Sequence, residues 1–391
     1  METLLVFAVV LLFAVLLSGL ASRSVLSTSV LFLAAGMATG PAGAGWIRFE
    51  PTDPFVERIA DLALFSVLFT DGMRVGVREL ARAWRLPGRA LLFGLPLTLL
   101  GVAALARALI GFDWADALLV GAVLAPTDPV FAAAIVGREE VPARLRRLLN
   151  VESGLNDGLA LPVVLALLTH AGVGHASLGA LLAEVALGIA LGVAIPWAVL
   201  RLEASLAFQA HAVYEPLLAF SVALLLYALT ALTHANAYLA AFAGGITVVS
   251  VSPRARESFR RFGEVVTELL KLAALLVFGA LVTPASVAGF SAGAWLFVLL
   301  VLLLARPVAV GLSLAGSPLG WREVASAAWF GPKGFASVVY ALLILESGLA
   351  EGPRIFHVVA AVMALSIVAH SSTDVLVARW LRPSDEPETE T

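Results

Sequence analysis

The sequence predicts an all-α polytopic membrane protein of about thirteen transmembrane helices, and three observations carry that expectation. Hydrophobic residues make up 60% of the 391 positions and charged residues only 14%, against about a half and a quarter in soluble domains. The apolar residues gather into runs close to the ~20 residues that a helix needs to cross the hydrocarbon core. Arginine is concentrated in alternate loops between those runs, as the preference of basic loops for the cytoplasm requires.

The runs lie near 3–21, 25–43, 55–73, 90–111, 115–136, 150–170, 178–200, 213–232, 236–251, 265–283, 292–316, 326–347 and 356–378. The first follows Met1-Glu2-Thr3 with no basic region before it, so it reads as a span rather than a cleaved signal peptide. Arg74, Arg78, Arg82, Arg85 and Arg89 follow the third run, and Arg138, Arg144, Arg146 and Arg147 the fifth. Arg254, Arg256, Arg260 and Arg261 follow the ninth, and Arg379 and Arg382 the last. The alternate stretches 111–116, 171–177 and 284–291 hold none. Thirteen spans put every basic loop on one side, with the C-terminus cytoplasmic and the N-terminus outside; an even count strands one basic loop on the wrong face. The 236–251 and 265–283 runs are the least regular, because Glu264, Glu268 and Lys271 interrupt the apolar pattern. The stretch 383–391 reads as a short disordered cytoplasmic tail.

Several classes are disfavoured at once. A net charge of −3 gives no footprint for a nucleic-acid partner. With no cysteine there is no disulfide framework and no thiolate chemistry. The six histidines form no metal-ligand pattern, no cofactor is implied, and the loops are too short to hold a soluble domain.

Two runs are interrupted. Ala125-Pro126-Thr127-Asp128-Pro129 opens the fifth and Phe330-Gly331-Pro332-Lys333-Gly334 the twelfth. Each proline removes an amide donor and clashes with the preceding turn. Opened backbone at membrane depth survives only where it lines a cavity or is buried in protein. Breaks seven runs apart fit two inverted six-helix repeats with a binding site at the midplane.

The sixth run carries the chemistry. Val151–Gly158 places Glu152, Ser153, Asn156 and Asp157 within one and a half helical turns of an otherwise apolar span. Each ionisable group there costs roughly 2.5–3.5 kcal/mol on insertion scales, which marks a functional site by default. At helical pitch Glu152 and Asn156 share one face, and Ser153 and Asp157 the next. Asp128 and Asp157 are expected face to face. Their carboxylates, the Ser153 hydroxyl and the freed Thr127 carbonyl supply the oxygen ligands that a hard cation such as sodium prefers. A buried carboxyl that holds either a proton or a cation, combined with alternating access, gives antiport. Because Asn156 cannot titrate, one proton exchanges for one cation and the cycle is electroneutral. Glu152 needs a partner, since an unpaired buried charge is strongly unfavourable. Arg306, in Leu303-Leu304-Ala305-Arg306-Pro307, is the expected one; Lys333 is the second candidate cation, with a possible electrostatic role.

Blander readings stand beside these. Val151–Gly158 can be a polar helix start with Gly154 and Gly158 as a close-packing pair, Asp128 a cap after a proline turn, and Arg306 a snorkelling residue. Asp71 and Glu79 read as part of the basic loop, Glu184, Glu215 and His234 as helix-end residues, and His357 and His370 as satisfied histidines. A passive channel lacks a Thr-Val-Gly-Tyr-Gly filter. An aspartyl protease built on Asp128 and Asp157 lacks its Tyr-Asp and Gly-x-Gly-Asp contexts, and His-Glu-x-x-His is missing too.

Thr127-Asp128-Pro129, then Glu152-Ser153-Gly154-Leu155-Asn156-Asp157-Gly158, then Arg306-Pro307 and Gly331-Pro332-Lys333-Gly334 together resemble the NhaP/NHE-type branch of monovalent cation/proton antiporters, the sodium/proton exchangers. The resemblance covers essentially the whole membrane region. It implies one antiporter domain over 1–382, with core helices at about 90–170 and 292–378 that include crossed discontinuous helices. It also implies scaffold helices at about 1–73 and 178–283 that form a homodimer. By resemblance Asp157 is the ion and proton ligand, Asp128, Thr127 and Ser153 are further sodium ligands, and Asn156 holds the two unwound stretches together. Glu152 and Arg306 form the structural ion pair. The implied activity is exchange of sodium or lithium for protons across the cell (plasma or inner) membrane, with no enzymatic step and no cofactor. Potassium/proton exchange is the alternative. Lys333 departs from the arginine usual in the family's Gly-x-Arg-Gly motif, Asp71 is an extra acidic residue, and the family's long regulatory tail is not seen.

Overall fold

The structure, a computed structural model, describes residues 2–21, 28–50, 53–74, 76–77, 84–127, 141–173, 177–205, 210–211, 213–282 and 287–380. Among them the regular secondary structure is helical and no strand occurs. The elements are α1 Glu2–Ala21, α2 Thr28–Thr39, α3 Pro54–Arg74, α4 Arg85–Ile110, α5 Trp114–Leu124, α6 Ala143–His170 and α7 Leu178–Glu203. They continue as α8 Glu215–Thr233, α9 Ala237–Val251, α10 Pro253–Leu281, α11 Ala292–Leu314, α12 Trp321–Trp329, α13 Phe335–Glu346 and α14 Gly352–Trp380. Among the described residues each apolar run read from the sequence contains helix, the fifth as far as Leu124 and the twelfth as α12 and α13 with the break between them. Six of the described helices are long and apolar enough to cross a membrane by length and composition.

Two stretches taken as basic loops are helical instead. α6 begins at Ala143, before the run at 150, because Leu145, Leu148 and Leu149 bury with Ala327, Ala328 and Phe330 of the α12 end. Arg144 is then drawn onto Glu323 of α12 by two hydrogen bonds of 2.7 and 2.6 Å. α10 begins at Pro253, with Ser252 as its N-cap accepting from the Ala255 amide. It is amphipathic: Ala255, Phe259, Leu272 and Leu276 are buried while Arg254, Glu264 and Val265 face outward. Lys271, buried in this helix, is paired with Glu268 at 2.6 Å, so the charges that blurred the apolar pattern are met within the helix. In the fifth run, α5 stops at Leu124, two residues before Pro126, and Thr127 is already non-helical.

One group of helices packs through glycines. α9 lies between α3 and α7, and α10 against α2 and α3. A Cβ built at Gly245 would fall 2.1 Å from the Phe69 carbonyl oxygen; at Gly279, 2.3 Å from that of Leu33; at Gly192, 2.5 Å from that of Ala240. Backbones this close maximise dispersion contact where no hydrophobic drive exists between helices and lipid. α6 touches this group through α3, α7 and α9, and otherwise packs with α4, α5, α12 and α13.

Because the atoms facing Gly245 are the backbone of α3, they cannot swing aside. Gly245→Ala is expected to cost about 1–3 kcal/mol through overpacking, read as a lower melting temperature in detergent; an unchanged transition would mean that α3 and α9 have slack.

Candidate functional site

The site is assembled from the opened end of α5, the middle of α6, α11, and the break between α12 and α13. Pro126 cannot donate an amide hydrogen, so the chain leaves the helix and the Thr127 backbone needs another partner. Asn156 supplies it: its Nδ2 donates to Thr127 Oγ1 at 2.8 Å and to the Thr127 carbonyl at 3.3 Å. The Asn156 Oδ1 has no hydrogen-bond partner among the described residues.

All four polar side chains of the α6 run are buried: Glu152, Ser153, Asn156 and Asp157. The Ser153 hydroxyl donates to the Leu149 carbonyl at 2.5 Å, one turn back, which leaves its oxygen lone pairs as acceptors. At Asp157 the backbone carbonyl accepts a hydrogen bond from Tyr340 Oη at 2.8 Å. Pro162 lies inside α6 four residues after Gly158, so the Gly158 carbonyl lacks its helical donor. Thr127, Asn156 and Ser153 are thus gathered round one stretch of α6 with Asp157. Asp128, expected opposite Asp157, lies outside the described residues.

Glu152 and Arg306 meet in a bidentate pair, Nη1 to Oε1 at 2.7 Å and Nη2 to Oε2 at 3.1 Å, with both side chains buried. Two sequence features aim the arginine inward. Pro307 withholds an amide from the turn before it, and α11 widens into a π turn over Val301–Ala305 immediately before Arg306. The same Nη2 reaches the carbonyls of Phe330 at 3.2 Å and Ala327 at 3.4 Å, placing a cation on the C-terminal end of α12 where the helix dipole is negative. Gly331 is required by this contact, since a Cβ there would sit 1.6 Å from Arg306 Nε.

The break itself is closed by residues whose part the sequence did not disclose. The Lys333 amide donates to Ser366 Oγ at 2.8 Å. One turn on, His370 has Nδ1 2.8 Å from the Ser366 carbonyl and Nε2 3.1 Å from the Trp329 carbonyl, and its ring packs on Trp329. The Ser337 hydroxyl at the start of α13 donates to the Val123 carbonyl in the last turn of α5, at 2.7 Å, so the two interrupted segments touch. The Lys333 ammonium is buried, has no hydrogen-bond partner among the described residues, and lies within electrostatic reach of Arg306 and Glu152. Ser366 and His370 sit four apart on one face of α14, a spacing visible in the sequence, but nothing local connects that face to the break. Away from the site, Asp71 accepts from Arg74 at 2.9 Å, and Glu215 holds Arg254 and Ser258 at the α8–α10 end.

Chemically, this is a buried, oxygen-rich cluster that carries the Asp157 carboxyl group, with Glu152 beside it paired to Arg306. The family of the transmembrane sodium/hydrogen exchangers matches residues 8–379. The chain belongs to this family. Among curated relatives, the "K(+)/H(+) antiporter NhaP2" of Shewanella sp. (strain MR-4) is 27% identical over 384 residues, covering 96% of this chain and 66% of the relative. The "K(+)/H(+) antiporter NhaP" of Alkalimonas amylolytica is 25% identical, covering 97% and 67%. The chain therefore spans about two thirds of the length of these relatives. The sodium proton antiporter MjNhaP1 from Methanocaldococcus jannaschii at pH 8 superimposes with a TM-score of 0.79 at 19% identity, covering 98% of this chain and 100% of that one, and so shares the fold.

Removing one member of the buried pair strands the other. Glu152→Ala is expected to cost about 3–5 kcal/mol, seen as a large drop in the detergent melting temperature; a wild-type transition would show that Arg306 finds equivalent partners elsewhere.

Proposed function

We propose that this protein is a secondary antiporter that exchanges sodium or lithium for protons across the membrane, one for one and electroneutrally. The single observation that carries this is the burial of Asp157 beside Ser153 and Asn156, with Thr127 bonded to Asn156, on a helix whose other acidic residue, Glu152, is paired with Arg306. Asp157 is the carboxylate we read as shared between proton and cation. Asp157 and Asp128, with the Ser153 hydroxyl and the Thr127 carbonyl, ligate the cation; Asn156 keeps the opened end of α5 beside α6; Glu152 and Arg306 hold α6 in register. Lys333 adds positive potential at the break.

The helices at about 90–170 and 292–378 act as the moving core, and those at about 1–73 and 178–283 as a static scaffold that pairs two copies in a cell membrane, the C-terminus cytoplasmic. The glycine-locked packing of α3, α7 and α9 supports the static role. The paired interruptions at 125–127 and 330–334 support an inverted repeat. Potassium/proton exchange is the second reading, favoured by the names of the curated relatives. Oxygen ligands accept either ion.

Reconstituted vesicles with a pH-sensitive dye test the reading. An imposed sodium, lithium or potassium gradient is expected to move protons, at the same rate with the membrane potential clamped. Asp157→Asn, which cannot titrate, is expected to abolish the exchange while keeping the wild-type elution profile and melting temperature. Normal cation-driven proton flux in that variant would end the assignment; cation conduction without proton movement would make the protein a channel.

A further inference from the structure

Gly158 follows Asp157 directly and is buried on α6 where that helix meets α9. A Cβ built there would lie 2.8 Å from Cδ1 and 3.0 Å from Cε1 and Cγ of Phe242, so the aromatic ring rests on bare backbone. Phe242 also packs with Leu91 of α4 and Val151 and Leu155 of α6, and on its other side with the main core. The ring therefore lies along the stretch of α6 from the residue before Glu152 to the residue after Asp157.

The two sides of this contact are built differently. Phe242 is held from behind, since a Cβ at Gly72 of α3 would fall 2.4 Å from its carbonyl oxygen. Three residues on, a Cβ at Gly245 would fall 2.1 Å from the Phe69 carbonyl oxygen of α3. With α3 and α9 touching backbone to backbone, the backbone that carries the ring cannot recede. On the α6 side there is no side chain at 158 to interlock with it. Packed surfaces that interdigitate have two discrete arrangements and must unpack to move; a ring on a glycine backbone, with only Val151 and Leu155 of α6 beside it, slips with less unpacking.

We infer that Phe242 is the fixed seal over which Gly158 and the ion-carrying stretch of α6 slide as access alternates, with the ring excluding water from that face of the site. This makes Phe242 and Gly158 positioning residues for transport, outside the ion's ligand set. The inference rests on the antiport reading with α6 moving against α3 and α9.

The test is a double-mutant cycle in vesicles, using whichever cation the wild type exchanges best. Gly158→Ala puts a methyl group against a ring whose backbone cannot withdraw, so the maximal exchange rate is expected to fall about tenfold or more. The half-saturating cation concentration should stay near wild type, because the ligands are untouched. Phe242→Ala in the same chain removes the obstacle, and G158A/F242A is expected to return close to the rate of F242A alone. A static clash would be relieved by the same truncation, so the melting temperature of G158A is read beside its rate: wild-type stability with slowed exchange supports the sliding contact, and a slow rate explained by lost stability overturns it. A second measurement decides the matter if G158A fails to fold. The chain has no native cysteine, so Leu155→Cys alone reports water at the seal, and its labelling by a membrane-impermeant thiol reagent should accelerate several-fold when combined with Phe242→Ala. A double variant as slow as G158A, or labelling unchanged by F242A, overturns the inference while leaving antiport intact. A wild type that exchanges no cation for protons overturns both.

Discussion

The buried bidentate pair between Glu152 and Arg306 is the constraint on which the rest of the site depends. It joins three elements at one point: α6, α11 and the C-terminal end of α12. Buried ion pairs seldom add net stability over an apolar equivalent; their value is in specifying one arrangement, because breaking them is costly. Here the arrangement specified is the one that leaves Asp157 as the charge on α6 not answered by Arg306. Were Glu152 unpaired, two acidic groups on neighbouring faces of one helix would compete for the same proton or cation, and one-for-one exchange would not follow from the geometry.

The two interrupted spans pose a different problem, opened backbone inside an apolar medium. The protein meets it with side chains from elsewhere: Asn156 for the Thr127 backbone, Ser366 for the Lys333 amide, Arg306 for the carbonyls at the α12 end. Each is buried. Hence the described parts of the breaks are fixed features, held by groups that have no water to fall back on. The same economy explains Gly331, where the absence of a side chain makes room for the guanidinium.

Much of this was legible before any coordinates, and the reason is the solvent. In a chain this apolar, a charged or amide side chain within a span stands out by its cost, so Glu152, Asn156, Asp157, Arg306 and Lys333 could be picked individually, and prolines located both breaks. What was not legible came from tertiary contact. The start of α6 at Ala143 depends on leucines finding Ala327 and Phe330, which lie nearly two hundred residues away. α10 is amphipathic because one of its faces packs on α2 and α3, which turns an apparently basic loop into helix. Tyr340, Ser337, Ser366 and His370 look like ordinary polar residues in apolar spans until the break is seen to need donors and acceptors. Gly158 reads as helix packing in general; only the position of Phe242 gives it a particular partner.

Seen as a whole, the glycine-locked helices α3, α7 and α9 provide a wall, and the polar stretch of α6 lies beside them with Asp157 as the proposed centre of its ion chemistry. The central claim is that proton and cation exclude each other there. The most direct measurement is proton release in weakly buffered detergent solution when the cation is added to purified protein, near the midpoint of its pH dependence. The account predicts uptake of cation with release of up to about one proton per chain, a release that disappears when residue 157 can no longer titrate. Cation binding at full stoichiometry with no proton released would contradict it.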